Sequence, residues 1–156
     1  MLRKLIPLLA LAAACSSPPP QNAPLAVPDR SNEVEAAMQA YAAALKISEP
    51  DSVVAFYTAD GELEITGLPL MRGRPAIRGF LAPLAAAMEV DSVTITTDDV
   101  VMHADTAAEQ RGAYVQIAGP HGQPRSQHSG RYEAVWRREG DGRWRLVRMT
   151  MQPDPT

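Results

Sequence analysis

Acid–base chemistry in this 156-residue chain would have to be assembled from Tyr41, Glu109, Arg111 and Tyr132. A phenol, a carboxylate and a guanidinium can hold a developing oxyanion and exchange its proton, as isomerases, cyclases and hydrolases require. His103, His121 and His128 are too widely spaced to form a metal site with one another. His121 belongs to the turn-rich run Gly119–Pro124, and His128 can reach the rim of a cavity. Asp60 precedes Gly61, and a helix-ending Asp-Gly turn accounts for it without chemistry. No nucleophile motif, phosphate-cradling glycine loop or dinucleotide fingerprint is present, so no cofactor is expected. The single cysteine, Cys15, excludes an internal disulfide, and no Cys/His spacing suggests zinc. Fifteen basic against 18 acidic residues, a net charge of −3, leave no electrostatic footprint for nucleic acid.

Cys15 has a different chemistry available. Arg3 and Lys4 precede an almost unbroken apolar run, Leu5 to Ala14, the pattern of a secretory signal peptide. As a helix the run would span about 15 Å, roughly half a bilayer's hydrocarbon core, too short for an anchor. Leu11-Ala12-Ala13-Ala14-Cys15 resembles the lipobox of bacterial lipoproteins, with Ala12 where that family most often has leucine. The resemblance implies cleavage after residue 14 and lipidation of Cys15, so that acyl chains hold the protein at a membrane of the cell envelope. Ser16 rather than Asp in the next position implies the outer membrane, on its periplasmic side. Residues 15–30 then form a tether: Pro18, Pro19, Pro20, Pro24 and Pro28 resist helix and sheet alike and favour an extended spacer.

One domain is expected over residues 31–153. Val34, Met38, Tyr41 and Leu45 share one face of a first helix that Asn32 and Glu35 can cap. A second helix starts at Pro50, carries Val53, Val54, Phe56 and Tyr57, and stops at Asp60-Gly61. Glu62–Thr66 alternates as a short strand. A third helix opens at Gly73-Arg74-Pro75 and turns Ile77, Phe80, Leu81, Leu84 and Met88 inward, with Pro83 expected to kink or shorten it. Four strands follow, Val90–His103, Ala107–Ala118, Gln127–Arg138 and Arg143–Gln152, the last two closed through Gly140-Asp141-Gly142. Three N-terminal helices and an antiparallel meander predict an α+β layer.

The faces of those strands bear on function. Val147, Met149 and Met151 alternate on the last strand, and Tyr132, Ala134 and Trp136 on its partner. On the strand before, one register turns Ala113, Val115 and Ile117 inward together with Arg111, a costly residue to bury alone. The other register turns Tyr114 and Gln116 inward. The opposite faces carry Arg131, Glu133, Arg137, Arg145 and Arg148, a solvated or subunit-facing surface.

Four segments carry a family resemblance: Phe56–Gly61, Gly73-Arg74-Pro75-Ala76-Ile77, Tyr132–Arg138 and Gly142–Leu146. In this order the chain resembles the nuclear transport factor 2-like superfamily, in its SnoaL-like branch, over roughly residues 32–152. The resemblance implies a cone-shaped α+β fold, three helices on a curved, mainly antiparallel sheet, with an apolar cavity open at one end. The pocket is then expected among Tyr41, Tyr57, Leu63, Ile65, Arg111, Val115, Tyr132, Trp136, Met149 and Met151. In steroid isomerases of this fold a tyrosine at the place of Tyr41 donates to an oxyanion, and the Tyr41–Tyr57 spacing matches. The positions of the isomerase base and acid correspond to Ile65 and Ala134, both apolar, which disfavours that activity. The expected partners are a small apolar molecule, a membrane through the lipid anchor, and a second copy of the chain, with no nucleic acid.

Overall fold

The computed structural model describes residues 26–155. The signal peptide, Cys15 and most of the tether lie outside the described residues. Helix α1 (Ser31–Ile47) buries Val34, Met38, Tyr41, Ala42 and Ala44, the face that its spacing foretold. Its N-cap is Arg30 rather than Asn32, and the Ser31 N–H donates to Asp29 Oδ1 at 3.0 Å. Helix α2 is a single turn (Pro50–Val54) with proline in its first turn.

Here the structure departs from the expected order. Phe56 and Tyr57 do not continue α2. Strand β1 runs from Tyr57 to Ile65, so Asp60-Gly61 lies inside a strand instead of ending a helix. The reason is tertiary: β1 pairs parallel with the chain's last strand, β6 (Trp144–Pro153), from Tyr57↔Leu146 to Ile65↔Met151. Between Tyr57 and Glu62 the register shifts, and Gly61 fills the irregularity because a Cβ there would stand 2.9 Å from the Leu146 carbonyl oxygen. A two-residue strand β2 (Met71–Arg72) leads into α3 (Gly73–Ala87), which runs on through Pro83 without being shortened. Met88, expected on that helix, is instead the first residue of β3 (Met88–Ala104).

Strands β4 (Ala107–Pro120) and β5 (Ser126–Arg138) complete a six-stranded mixed sheet in the order β2-β1-β6-β5-β4-β3. The fold is α+β, a curved sheet with three helices. The helices are not all N-terminal to the sheet, because β1 and β2 intervene before α3. Three register shifts along the β3–β4 ladder and one between β5 and β6 break the flat pairing and bend the long strands. The shift at Val135/Trp136 skips Val147, so Leu146 turns inward with Met149 while Val147 does not. The final hairpin closes as its Asp-Gly step suggested: Arg143 N–H donates to Asp141 Oδ1 at 3.1 Å, and Gly142 adopts a φ of +79°.

Candidate functional site

The core is solid at one end of the molecule and hollow at the other. At the solid end Trp136, Leu146, Val34 and Met38 are fully enclosed. At the other end the helices stand away from the sheet and leave a cavity of about 270 Å³. Most elements deliver side chains to it: Tyr41 and Leu45 from α1, Val53 from α2, Leu63 and Ile65 from β1. Phe80, Leu81 and Leu84 come from α3, Gln116 and Ala118 from β4, His128 from β5 and Met151 from β6. Leu84 stays 43% exposed although it lies on the apolar face of its helix, because that face meets a void in place of packed atoms. A smaller cleft of about 30 Å³ shares the Tyr41, Leu45, Gln116 and Met151 wall and is otherwise lined by Val93, Ile95, Tyr114, Tyr132 and Met149.

Polar groups in the cavity wall are few. Tyr41 is held from behind by Tyr57, their hydroxyl oxygens 3.0 Å apart. Burial pushes the Tyr41 phenol up to about 12, and burial together with the neighbouring Tyr41 raises Tyr57 as well. Both therefore stay neutral hydrogen-bonding groups at physiological pH. Gln116 and His128 face one another as cross-strand partners. Ser126 Oγ lies 2.9 Å from His128 Nε2 and donates to the Ala118 carbonyl at 3.4 Å. No Asp, Glu, Lys or Arg side chain lines the cavity among the described residues. Among them, too, no group of three or more His, Cys, Asp or Glu is arranged to hold a metal ion.

Of the residues expected in the pocket, Tyr41, Leu63, Ile65 and Met151 line the cavity, and Tyr132 and Met149 line the adjoining cleft. Four do not. Tyr57 is enclosed behind Tyr41 and supports it without reaching the void. Trp136 belongs to the solid end, between Ala108 and Leu146 in the ladder, its Nε1–H donating to Gln110 Oε1 at 2.9 Å. Arg111 and Val115 face away from the helices, since β4 buries Ala108, Gln110, Gly112, Tyr114 and Ala118 instead. The even-numbered register is the true one. It puts the Arg111 charge on the outer face within 3.7 Å of Glu109 and of Glu133, where water shares its solvation.

Ala134 is buried between Gln110 and Met149 in the ladder. Gln116 faces inward only in the alternative register of the sequence, and the α3 spacing marks Phe80, Leu81 and Leu84 as apolar without placing them in a cavity wall. The outer face carries Arg131, Glu133, Arg137 and Arg148, as expected, and Arg148 Nε donates to Glu62 Oε2 at 2.8 Å.

The SnoaL-like domain family matches residues 28–150. No curated protein matches the chain at a significant level. Among solved structures the chain is similar to a ketosteroid isomerase-like protein from Erwinia carotovora atroseptica, at 21% identity and a TM-score of 0.72, over 80% of this chain and 96% of that one. It is similar to a conserved protein from Planctomyces limnophilus, at 15% identity and a TM-score of 0.73, over 81% and 97% of the two chains. A third, from Catenulispora acidiphila in complex with S-DNPA, is 18% identical with a TM-score of 0.68, over 80% and 92%. At these identities the likeness is one of fold.

Proposed function

The chain belongs to the SnoaL-like domain family, and from that premise we propose that it is a lipid-anchored envelope protein whose cone binds a small, largely apolar molecule. The observation that carries this reading is the cavity of about 270 Å³ between α3 and the sheet. That volume exceeds the roughly 150 Å³ that admits benzene and approaches the lower end, roughly 300 Å³, of ordinary ligand sites. Its wall is apolar apart from the Tyr41, Ser48, Gln116 and His128 side chains, which suits a ligand of one or two rings with little charge. A void of this kind costs packing energy, so a ligand that fills it contributes stability to the folded chain.

The reading is tested by extracting the full chain from its own envelope and examining it by native mass spectrometry for a retained small molecule. A Leu81→Trp variant, which fills the void, should lose that molecule while keeping its fold. Retention of the molecule by the filled variant would refute the cavity as its place. Cys15→Ser should move the protein from the membrane fraction to the soluble one. If the variant stays with the membrane, the anchor lies elsewhere.

An enzymatic role in the same cavity is the second reading, favoured by the neutral phenol of Tyr41 and by the imidazole of His128 in the wall. A steroid-isomerase reaction is the least supported form of it, because Ile65 lies at the end of β1 where that chemistry needs a carboxylate. A second copy of the chain would pair on the outer face, where Val101 and Val135 flank Glu109 across three strands and are 41% and 37% exposed. Light scattering tests this, and a monomer at high micromolar concentration would exclude an obligate dimer.

A further inference from the structure

We propose that His128 is the recognition point of the cavity and that it selects a ligand whose apolar body ends in a hydroxyl group. This rests on the binding reading above and adds the chemical class of the ligand.

Ser126 and His128 lie two apart on β5, so both side chains emerge on the same face of the strand. A serine hydroxyl has one proton to give and two lone pairs with which to accept. The Ala118 carbonyl, 3.4 Å from Ser126 Oγ, can only accept, and the proposed arrangement gives it that proton. Ser126 Oγ then accepts at 2.9 Å from His128 Nε2, and Nε2 carries the ring hydrogen that the nitrogen-15 experiment below reads. Nδ1 remains as a lone pair at the exposed rim of the cavity, where a ligand O–H can replace the water that otherwise serves it. Gln116, the cross-strand partner of His128, lines the same cavity and offers both an amide N–H and a carbonyl oxygen. A hydroxyl satisfies both neighbours at once: its hydrogen goes to Nδ1, and its oxygen accepts from the Gln116 amide.

Charge points the same way. The side chains lining the cavity include no Lys or Arg that would compensate a carboxylate, and no Asp or Glu that would compensate an ammonium, among the described residues. The apolar wall of Leu63, Ile65, Phe80 and Leu81 takes the rest of the molecule.

The test uses two probes of nearly equal size, 4-tert-butylphenol and 4-tert-butyltoluene, which differ by a hydroxyl in place of a methyl. Binding to the full chain in detergent is read at the Met151 methyl by NMR. The wild-type to variant affinity ratio for each probe cancels its partition into micelles. His128→Phe should weaken the phenol about fivefold and leave the toluene within about twofold of wild type. Ser126→Ala, which frees the ring to change tautomer, should weaken the phenol and spare the toluene. Nitrogen-15 shifts of the wild-type imidazole should report Nε2 as the protonated nitrogen.

Toluene binding by each variant shows that it is folded. If both probes bind and His128→Phe treats them alike, the hydroxyl selection is overturned while the cavity reading stands. If Nδ1 carries the proton, the recognition geometry is overturned. If neither probe moves the Met151 resonance, the cavity reading falls and this proposal falls with it.

Discussion

The hydroxyl oxygens of Tyr41 on α1 and Tyr57 on β1 lie 3.0 Å apart, and their rings meet edge to face with centroids 6.0 Å apart. One tyrosine lines the cavity and the other is wholly enclosed, so the pair couples the wall of the void to the solid core.

Tyr57→Phe removes the partner of a buried hydroxyl and should cost about 1 kcal/mol of stability. Tyr41→Phe should cost a similar amount, and the double variant less than the sum, because both single changes break one bond. Urea denaturation of the four proteins checks this, and strict additivity would mean that the bond contributes nothing.

The same pair sets a pH dependence. Burial raises both phenols, Tyr41 to about 12, whereas an unfolded tyrosine ionises near pH 10. Above about pH 10 the unfolded chain has lost protons that the folded chain retains, so stability falls as pH rises from about 10 toward 12. Below that window the contribution is fully present. Tyr114 and Tyr132 are raised by burial in the same direction and add to the loss. The expected result is a denaturation midpoint that drops between pH 10 and 12 and drops less in the Tyr41→Phe, Tyr57→Phe double variant. An absorbance titration at 295 nm should show ionisation of the folded chain delayed beyond that of free tyrosine.

Gly112 lies where β3, β4 and β5 crowd together: a Cβ there would stand 1.9 Å from the Thr96 carbonyl oxygen and 2.8 Å from Tyr132 Cε1. Gly112→Ala should destabilise the fold by about 3 kcal/mol or more, because backbone must move to admit one methyl. Gly79, exposed inside α3 with open space around it, gives the contrast. Gly79→Ala should stabilise by about 0.5–1 kcal/mol through helix propensity. Melting temperatures moving in opposite directions would support both assignments.

Gln110 is fully buried and bridges two strands, accepting from Trp136 Nε1 at 2.9 Å and donating to Thr97 Oγ1 at 2.8 Å. Gln110→Leu keeps the volume but leaves the indole N–H without a partner, at a cost of about 1–3 kcal/mol. Gln110→Glu supplies an acceptor but buries a charge, so its deficit should shrink as pH falls and the carboxyl protonates. Chemical denaturation at pH 5 and pH 8 distinguishes the two variants.

Arg74 gives the Gly-Arg-Pro segment a physical role. From the first turn of α3 its Nε and an Nη donate to the Tyr57 carbonyl at 2.9 and 2.6 Å, tying the helix to β1. Arg74→Lys keeps the charge but loses the fork and should cost about 1–2 kcal/mol. A thermal midpoint equal to that of wild type would remove this role from the motif.

The register of β4 shows how far strand alternation reaches. Alternation predicts two faces but not which of them is covered, and both faces of β4 carry apolar residues: Ala113, Val115 and Ile117 on one, Ala108, Tyr114 and Ala118 on the other. The signal that separates them is Arg111, whose charge demands solvent or a partner, together with Gln110, which the Trp136 indole needs as an acceptor. The α2–β1 boundary was less accessible still. Phe56 and Tyr57 suit a helix or a strand equally, and the choice was made by β6, nearly ninety residues later, which supplies the parallel partner.

Local patterning determined what depends on neighbours along the chain: the buried stripe of α1, the proline opening α2, the glycine start of α3, the Asp-Gly hairpin and the α+β class. Those features follow from periodicity, caps and turn chemistry within a few residues, so one dimension suffices to read them. Tertiary structure alone decided that β1 begins at Tyr57 and pairs with β6, that Arg111 faces outward, and that Leu81 and Gln116 border a void. A cavity is the absence of a neighbour. A sequence can mark a side chain as apolar, but only the assembled packing leaves the space opposite it unfilled.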